Sequence, residues 1–346
     1  MKKKDFRLDF IRAISMFIIV LYHYSCVYEL ENTIGPWRPF WHFASGSWGG
    51  AFVVTFFMLS GHVMYIQYHS HINVKEFYKK RFLRIFPLFY MCWGIMYIVR
   101  MLQYKSLTWG GNPLLILESV LGMDGYLKRD KLNYYSVGDW FLGAIIIIYV
   151  LFPLMLYVYK KYKWQITAFI VVTFMIMEMT GFINTVSRSN ILICCSSFWM
   201  GMLVGEYSWY LKKHKYPLII SLFIIAFLCT VDIKQNMSEV LILEIFGIVA
   251  YIFLYYFPVE KIKEDSIMRK TILFMSKYSY AVMLTHHVLV YWGIHFFEKL
   301  GLNLNLCLFV TVAGIYVMSF LLSNINDKFI RKLHIIVGGK KCKVVN

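Results

Sequence analysis

Apolar runs alternate along this chain with short polar stretches rich in basic residues. About ten runs, each near 20 residues long, match the length an α-helix needs to cross the hydrocarbon core of a bilayer. They fall at about 8–28, 48–67, 83–104, 139–159, 163–184, 189–208, 216–232, 239–257, 272–297 and 304–324. The expected fold is all-α, a polytopic membrane protein of about ten transmembrane helices. A single membrane-embedded domain fills residues 1–346, with a short cytoplasmic tail at 325–346. No internal repeat, low-complexity tract or soluble domain is visible. The longest polar stretch, Lys105 to Gly138, carries Trp109, Asp124, Tyr126, Arg129, Asp130, Tyr134 and Tyr135, with Asp139 beyond it. That mixture suits a lid that contacts sugars and equally suits ordinary loop packing.

Composition strengthens the class. The sequence is 59% hydrophobic and only 16% charged, against about 25% charged residues in ordinary globular chains. A net charge of +17 raises nucleic acid as a partner, but no basic stripe interleaved with exposed aromatics sits on a soluble region, so none is expected. The cations instead mark alternate loops, as the positive-inside rule requires. Lys2, Lys3, Lys4 and Arg7, then Lys75, Lys79, Lys80, Arg81 and Arg84, then Lys160, Lys161 and Lys163 share one side. Lys212, Lys213 and Lys215, the stretch Lys261 to Lys270, and the tail from Lys328 to Lys343 join them. The opposite loops carry Arg38, Lys105, Lys128, Arg129, Lys131, Arg188, Lys234 and Lys299. An even number of spans with both termini cytoplasmic fits this asymmetry, and places the chain in the cytoplasmic membrane. Met1 to Tyr28 offers no small-residue cleavage site, so a cleaved signal peptide is not expected.

Cysteine usage points to no special chemistry. None of the seven cysteines forms a CxxC, so neither a zinc site nor a disulfide framework is expected, and Cys194–Cys195 reads as a packing pair. His69 and His71 form an HxH without a nearby third ligand, and read as a solvated loop rather than a metal site.

Ionisable groups at membrane depth are expensive and point to function. Arg12 and His23 lie eleven residues apart in LDFIRAISMFIIVLYHY, about 16 Å along a helix at 1.5 Å per residue. A helix anchor and a histidine bonded to a neighbouring helix explain the pair equally well. Asp9, three residues before Arg12, is placed to pair with it. In GGAFVVTFFMLSGHVMY, Ser60 and Gly61 follow Phe56 and Phe57, a pattern typical of close helix packing. In KKRFLRIFPLFY, Arg81 and Arg84 share a helical face ahead of Pro87. They suit snorkelling charges, and also a clamp for phosphate oxygens. Trp140 opens the fourth run as an interfacial anchor, and SKYSYAVMLTHH carries His286 and His287 into the ninth. Glu178 and Glu244 fall within runs and need partners; Glu178 is a candidate to orient a histidine. Glu206 is expected at the cytoplasmic surface. Pro87, Pro153, Pro217 and Pro258 are expected near span ends.

Taken in order, these motifs resemble the acyltransferase 3 family. Arg12 with His23, FFMLSG ending in Ser60–Gly61, RFLRIFP with Arg81 and Arg84, WFL…Y…P with Trp140, Tyr149 and Pro153, and SYAVMLTH with Ser279, Tyr280 and His286 run in register over about 7–324. Each is weak alone, and five in order are specific. The resemblance implies an integral-membrane O-acyltransferase that modifies cell-surface glycans, usually with acetyl. The donor it implies is acetyl-CoA, or another acyl-CoA, with no permanently bound cofactor. The acceptor it implies is a surface polysaccharide or an undecaprenyl-linked oligosaccharide. It ties activity to residues matching Arg12, His23, Arg81 and Arg84, with Asp9, Ser60, Gly61, Trp140 and His286 in support. Arg12, Arg81 and Arg84 would hold the cofactor phosphates. Desolvation favours a neutral His23, which either acts as general base or takes the acyl group transiently. Ile145 stands where many members have glutamate, His62 where phenylalanine is usual, and Met283 where tyrosine is common. The extracytoplasmic esterase-like domain of some members has no counterpart here, so the chain is expected to complete the transfer itself or hand it to a partner. The competing expectation is a component of a polysaccharide exporter or flippase, which predicts broken helices in corresponding positions of two halves.

Overall fold

A computed structural model describes residues 5–30, 38–127, 133–138 and 140–336. Lys2 to Lys4, Lys128 to Lys131, Asp139 and the tail from 337 onward lie outside the described residues, so the charges assigned to them are not placed. Of the described residues 79% are helical, with almost no sheet. Its long helices are α1 (Phe6–Leu30), α2 (Trp48–Tyr68) and α3 (Val74–Tyr104). After the short α4 (Ile116–Val120) come α5 (Trp140–Met179), α6 (Ile191–Glu206), α7 (Ser208–Lys213) and α8 (Tyr216–Thr230). The chain continues through α9 (Glu239–Tyr256), α10 (Ile267–Lys299) and α11 (Leu304–Ile336). Among the described residues, six helices are long and apolar enough to cross a membrane, and two shorter apolar ones are α6 and α8. The only strands among them, β1 (His42–Phe43) and β2 (Gly46–Ser47), form a small antiparallel hairpin.

Helix ends differ from the apolar runs for physical reasons. α3 begins nine residues before its run because Lys75, Lys79, Lys80 and Arg81 are good helix formers that hydropathy does not register. α5 joins two runs, with Tyr162 leaving helical geometry at φ −132° and ψ 29°. Just past that break, Lys163 Nζ reaches the Glu206 carboxylate at 2.8 and 2.9 Å, and the Tyr159 hydroxyl donates to it at 2.5 Å. Pro87 and Pro153 lie inside α3 and α5 rather than near helix ends. Proline removes one backbone donor and crowds the preceding turn, and the rest of each helix carries the segment through.

The chain forms two compact units, Met1–Val74 with Ala144–Ser279, and Lys75–Gly143 with Tyr280–Asn346. In the first, α2 is the central helix, packed against α1, α6 and α9. A Cβ on Gly61 would lie 2.0 Å from the Phe198 carbonyl oxygen, and one on Gly201 would lie 2.0 Å from that of Met58. These two glycines set the α2–α6 crossing by letting backbone meet backbone. Thr55 Oγ1 donates across to the Gly247 carbonyl of α9 at 3.2 Å. The hairpin is tied to α8 by Ser45, whose hydroxyl donates to the Val231 carbonyl at 2.5 Å.

In the second unit the stretch after α3 is packed, not open. Trp93 Nε1 donates to the Tyr134 carbonyl at 3.2 Å, Tyr90 to that of Val120 at 2.9 Å, and Tyr97 to that of Leu107 at 2.6 Å. Trp109 stacks on Tyr104 and meets Tyr134 edge-on. Asp124 is buried there, accepting from Ser119 Oγ at 2.8 Å and Gly125 N–H at 2.9 Å. Burial pushes its carboxyl above the ordinary 3.8, against the lowering effect of these two donors, with Glu118 adding to the rise. The folded segment therefore holds its proton more tightly than the unfolded one, and stability falls as pH rises from about 3.8 through the raised value. Limited proteolysis of residues 105–127 should show protection that weakens across this window and then levels off. Asp124→Asn should flatten that profile, whereas an unchanged slope would remove Asp124 as its source.

Candidate functional site

The first unit holds Asp9, Arg12, His23, Ser60 and Gly61; the second holds Arg81, Arg84, Trp140 and His286. Near its N-terminal end α1 is gripped by charged neighbours. Arg7 pairs with Glu260 and lies over the Tyr255 ring, Lys212 reaches Asp5 at 3.3 Å, and Arg269 lies 4.1 Å over Phe6. One turn further in, Asp9, Arg12 and Ser276 close a ring. Ser276 Oγ donates to Asp9 Oδ1 at 2.6 Å, and Arg12 Nη1 lies 3.2 Å from both Asp9 Oδ1 and Ser276 Oγ. Asp9 is buried at 2% exposure, so the pair costs desolvation that the serine hydroxyl helps to offset. Ser276 was not singled out from sequence, because 264 residues separate it from Arg12.

His23 sits half-buried toward the far end of α1. Its Nδ1 lies 3.0 Å from the Ile19 carbonyl oxygen. A carbonyl only accepts, so Nδ1 carries a proton, and in the neutral ring the lone pair is on Nε2. Neighbouring Tyr22 meets the His23 ring edge-on at 5.2 Å and stacks on Trp41 at 5.5 Å. Gly49 lies directly beneath the Tyr22 ring, where a Cβ would come within 2.1 Å. Ser60 is half-buried, and Gly61 is part of the α2–α6 contact described above.

Arg81 and Arg84 are one turn apart on α3, but differ in burial. Arg81 is 8% exposed with its guanidinium 5.6 Å from the Phe77 ring, whereas Arg84 is exposed. In the same unit Tyr280 donates to the Ile85 carbonyl at 2.8 Å. His286 is buried, and its Nδ1 lies 2.9 and 3.1 Å from the Val282 and Met283 carbonyls, which fixes the same tautomer as in His23. His287 is its ring neighbour at 4.3 Å. Trp140 is half-buried at the start of α5.

Other acidic groups take structural roles. Glu178 does not orient a histidine. Its carboxylate accepts from Ser238 N–H at 2.8 Å and Ser238 Oγ at 2.6 Å, and so fixes the residue that caps α9. Ser238 precedes α9 by a single residue and offers two donors, a stronger claim on a carboxylate than a distant ring. Glu244 accepts from Ser197 Oγ at 2.7 Å within the bundle. His62 is fully buried, its Nδ1 2.7 Å from the Tyr251 hydroxyl, and its Nε2 has no hydrogen-bond partner among the described residues. His69 and His71 are both exposed.

Six helices among the described residues that are long and apolar enough to cross a bilayer make this a multi-pass membrane protein. The acyltransferase 3 family, described as an acyltransferase domain, matches residues 5–324 of this chain, which therefore belongs to that family of acyltransferases. No curated protein and no solved structure matches the chain.

Proposed function

We propose that this acyltransferase moves an acetyl group from cytoplasmic acetyl-CoA to a hydroxyl of a cell-surface polysaccharide or lipid-linked glycan, with His23 as general base. One observation carries this reading: the Nδ1 contact of His23 with the Ile19 carbonyl, which leaves Nε2 as the basic nitrogen. In the step we assign, Nε2 accepts the acceptor's hydroxyl proton as the oxygen attacks the thioester carbonyl. The tetrahedral intermediate collapses, the carbon–sulfur bond breaks, and the departing thiolate takes the proton back from the imidazolium. A transient acyl-imidazole needs the same lone pair; acetyl accumulating on His23 in the absence of acceptor would distinguish that route.

Arg81 and Arg84 are the groups we assign to the donor's phosphates, since guanidinium matches phosphate oxygens in pairs. Arg12 is already engaged by Asp9 and Ser276, so it reads best as a residue that holds the start of α1 in place. The matching topology has α5 making two passes that meet at Tyr162, giving ten spans with both termini in the cytoplasm. The exporter reading gains nothing from the fold, because the interior prolines lie within continuous stretches of helix.

Arg84 gives the cleanest test of the donor assignment, because an exposed side chain can be changed with little effect on packing. Arg84→Gln should raise the KM for acetyl-CoA about tenfold, the scale of one charge-assisted hydrogen bond, and leave kcat within about twofold. Radiolabelled acetyl transfer by purified protein measures both, and an unchanged KM would withdraw Arg84 from donor binding.

A further inference from the structure

Four polar side chains that the mechanism does not use, Asn184, Ser187, Arg188 and Glu239, surround one pocket in the first unit. The pocket has a volume of about 540 Å³ and an apolar floor that includes Ile183 and Leu243. That volume falls in the range of about 300–1,000 Å³ typical of small-molecule sites. Ile183 and Leu243 are 0% and 2% exposed, so the floor is fixed, while all four polar groups belong to exposed residues. The floor is held from below: Leu243 packs against Gly46 and Gly50, beside the turn into α2.

The pocket also connects to the catalytic helix. The Arg188 guanidinium is an electrostatic neighbour of the Tyr22 hydroxyl. Tyr22 precedes His23 in sequence, touches its ring, and stacks on Trp41. The N-terminal ends of α6 and α9 border the same place, following Arg188 and beginning at Glu239 respectively. An apolar floor beneath a mixed rim of amide, hydroxyl, guanidinium and carboxylate suits a pyranose ring. The C–H face of such a sugar packs on hydrocarbon, while its hydroxyls donate to Glu239 and accept from Arg188 and Asn184.

We propose that this pocket is the acceptor subsite, holding one sugar unit of the glycan with Arg188 and Glu239 as its specificity-determining residues. The inference rests on the acyltransferase reading above and adds the place where the acceptor is recognised. On this account Arg188 binds the sugar near Tyr22, whose ring flanks His23.

The test uses the full-length protein in detergent, radiolabelled acetyl-CoA, and as probe the envelope glycan of a deletion strain, stripped of O-acyl groups with mild base. Glu239→Gln and Arg188→Gln should each raise the KM for this glycan about tenfold, with the KM for acetyl-CoA and the melting temperature unchanged. Arg188→Lys, which keeps the charge but loses the fork, should recover only part of the loss. Unchanged glycan KM in both glutamine variants, with the wild type active, would overturn the subsite and leave the acyltransferase reading intact. Equal losses for donor and glycan would also overturn it, by showing a structural role. A wild type unable to label the glycan, although folded, would bring down both.

Discussion

Changing His23 to alanine or glutamine is expected to slow acetyl transfer by about 10²–10⁴-fold, the usual contribution of a positioned general base. The loss should fall on kcat, because in the proposed step His23 acts on the reacting proton and not on the phosphates of the donor. Glutamine is the sharper probe. It retains much of the size and polarity of imidazole, so a folded, donor-binding but inactive protein isolates the missing base. The structural basis is narrow and specific: the Ile19 carbonyl holds Nδ1 at 3.0 Å and so selects the tautomer whose Nε2 can accept a proton. Purified enzyme with labelled acetyl-CoA and glycan reads the effect. Activity within tenfold of wild type in His23→Gln would show that another group takes the proton.

The second large effect is on stability, not chemistry. Gly61→Ala should destabilise the fold by about 3 kcal/mol or more, at or beyond the upper end of the usual cost of overpacking. The added methyl would lie 2.0 Å from the Phe198 carbonyl oxygen and 2.9 Å from its carbon, and a backbone cannot rotate away as a side chain can. The reciprocal approach of Gly201 to Met58 leaves neither helix free to slide. Gly314→Ala is the internal control, since nothing lies within 4 Å of a Cβ there, and alanine is the better helix former. Thermal melts in one detergent should place Gly61→Ala far below wild type and Gly314→Ala at or above it. A Gly61→Ala protein with wild-type melting temperature would contradict the close crossing.

Most of the helices can be read from hydropathy because a lipid-facing or core-facing segment must be apolar over its whole length. What hydropathy misses are the places where a helix outruns its apolar part. α3 starts at Val74 through a run of lysines, and α10 and α11 likewise extend past their apolar runs. The site divides in the same way. Asp9 and Arg12 are legible as a pair because three residues place them on one helical face. Ser276, which completes their ring, comes from a distant helix and leaves no local trace. Glu178 misleads for the opposite reason: an acidic residue in an apolar run suggests chemistry, but it ends up at a helix start where Ser238 offers two donors. Arg188 looks like a lone cation in a loop, and only folding brings it beside Tyr22 and Glu239.

The most direct measurement compares surface glycans from cells carrying the wild-type chain with those from cells carrying His23→Gln at equal membrane abundance, by mass analysis of their acyl content. The account predicts glycan exported in full but stripped of the O-acetyl groups that the wild type adds. Retained O-acetyl groups, or a glycan that no longer reaches the surface, would contradict it.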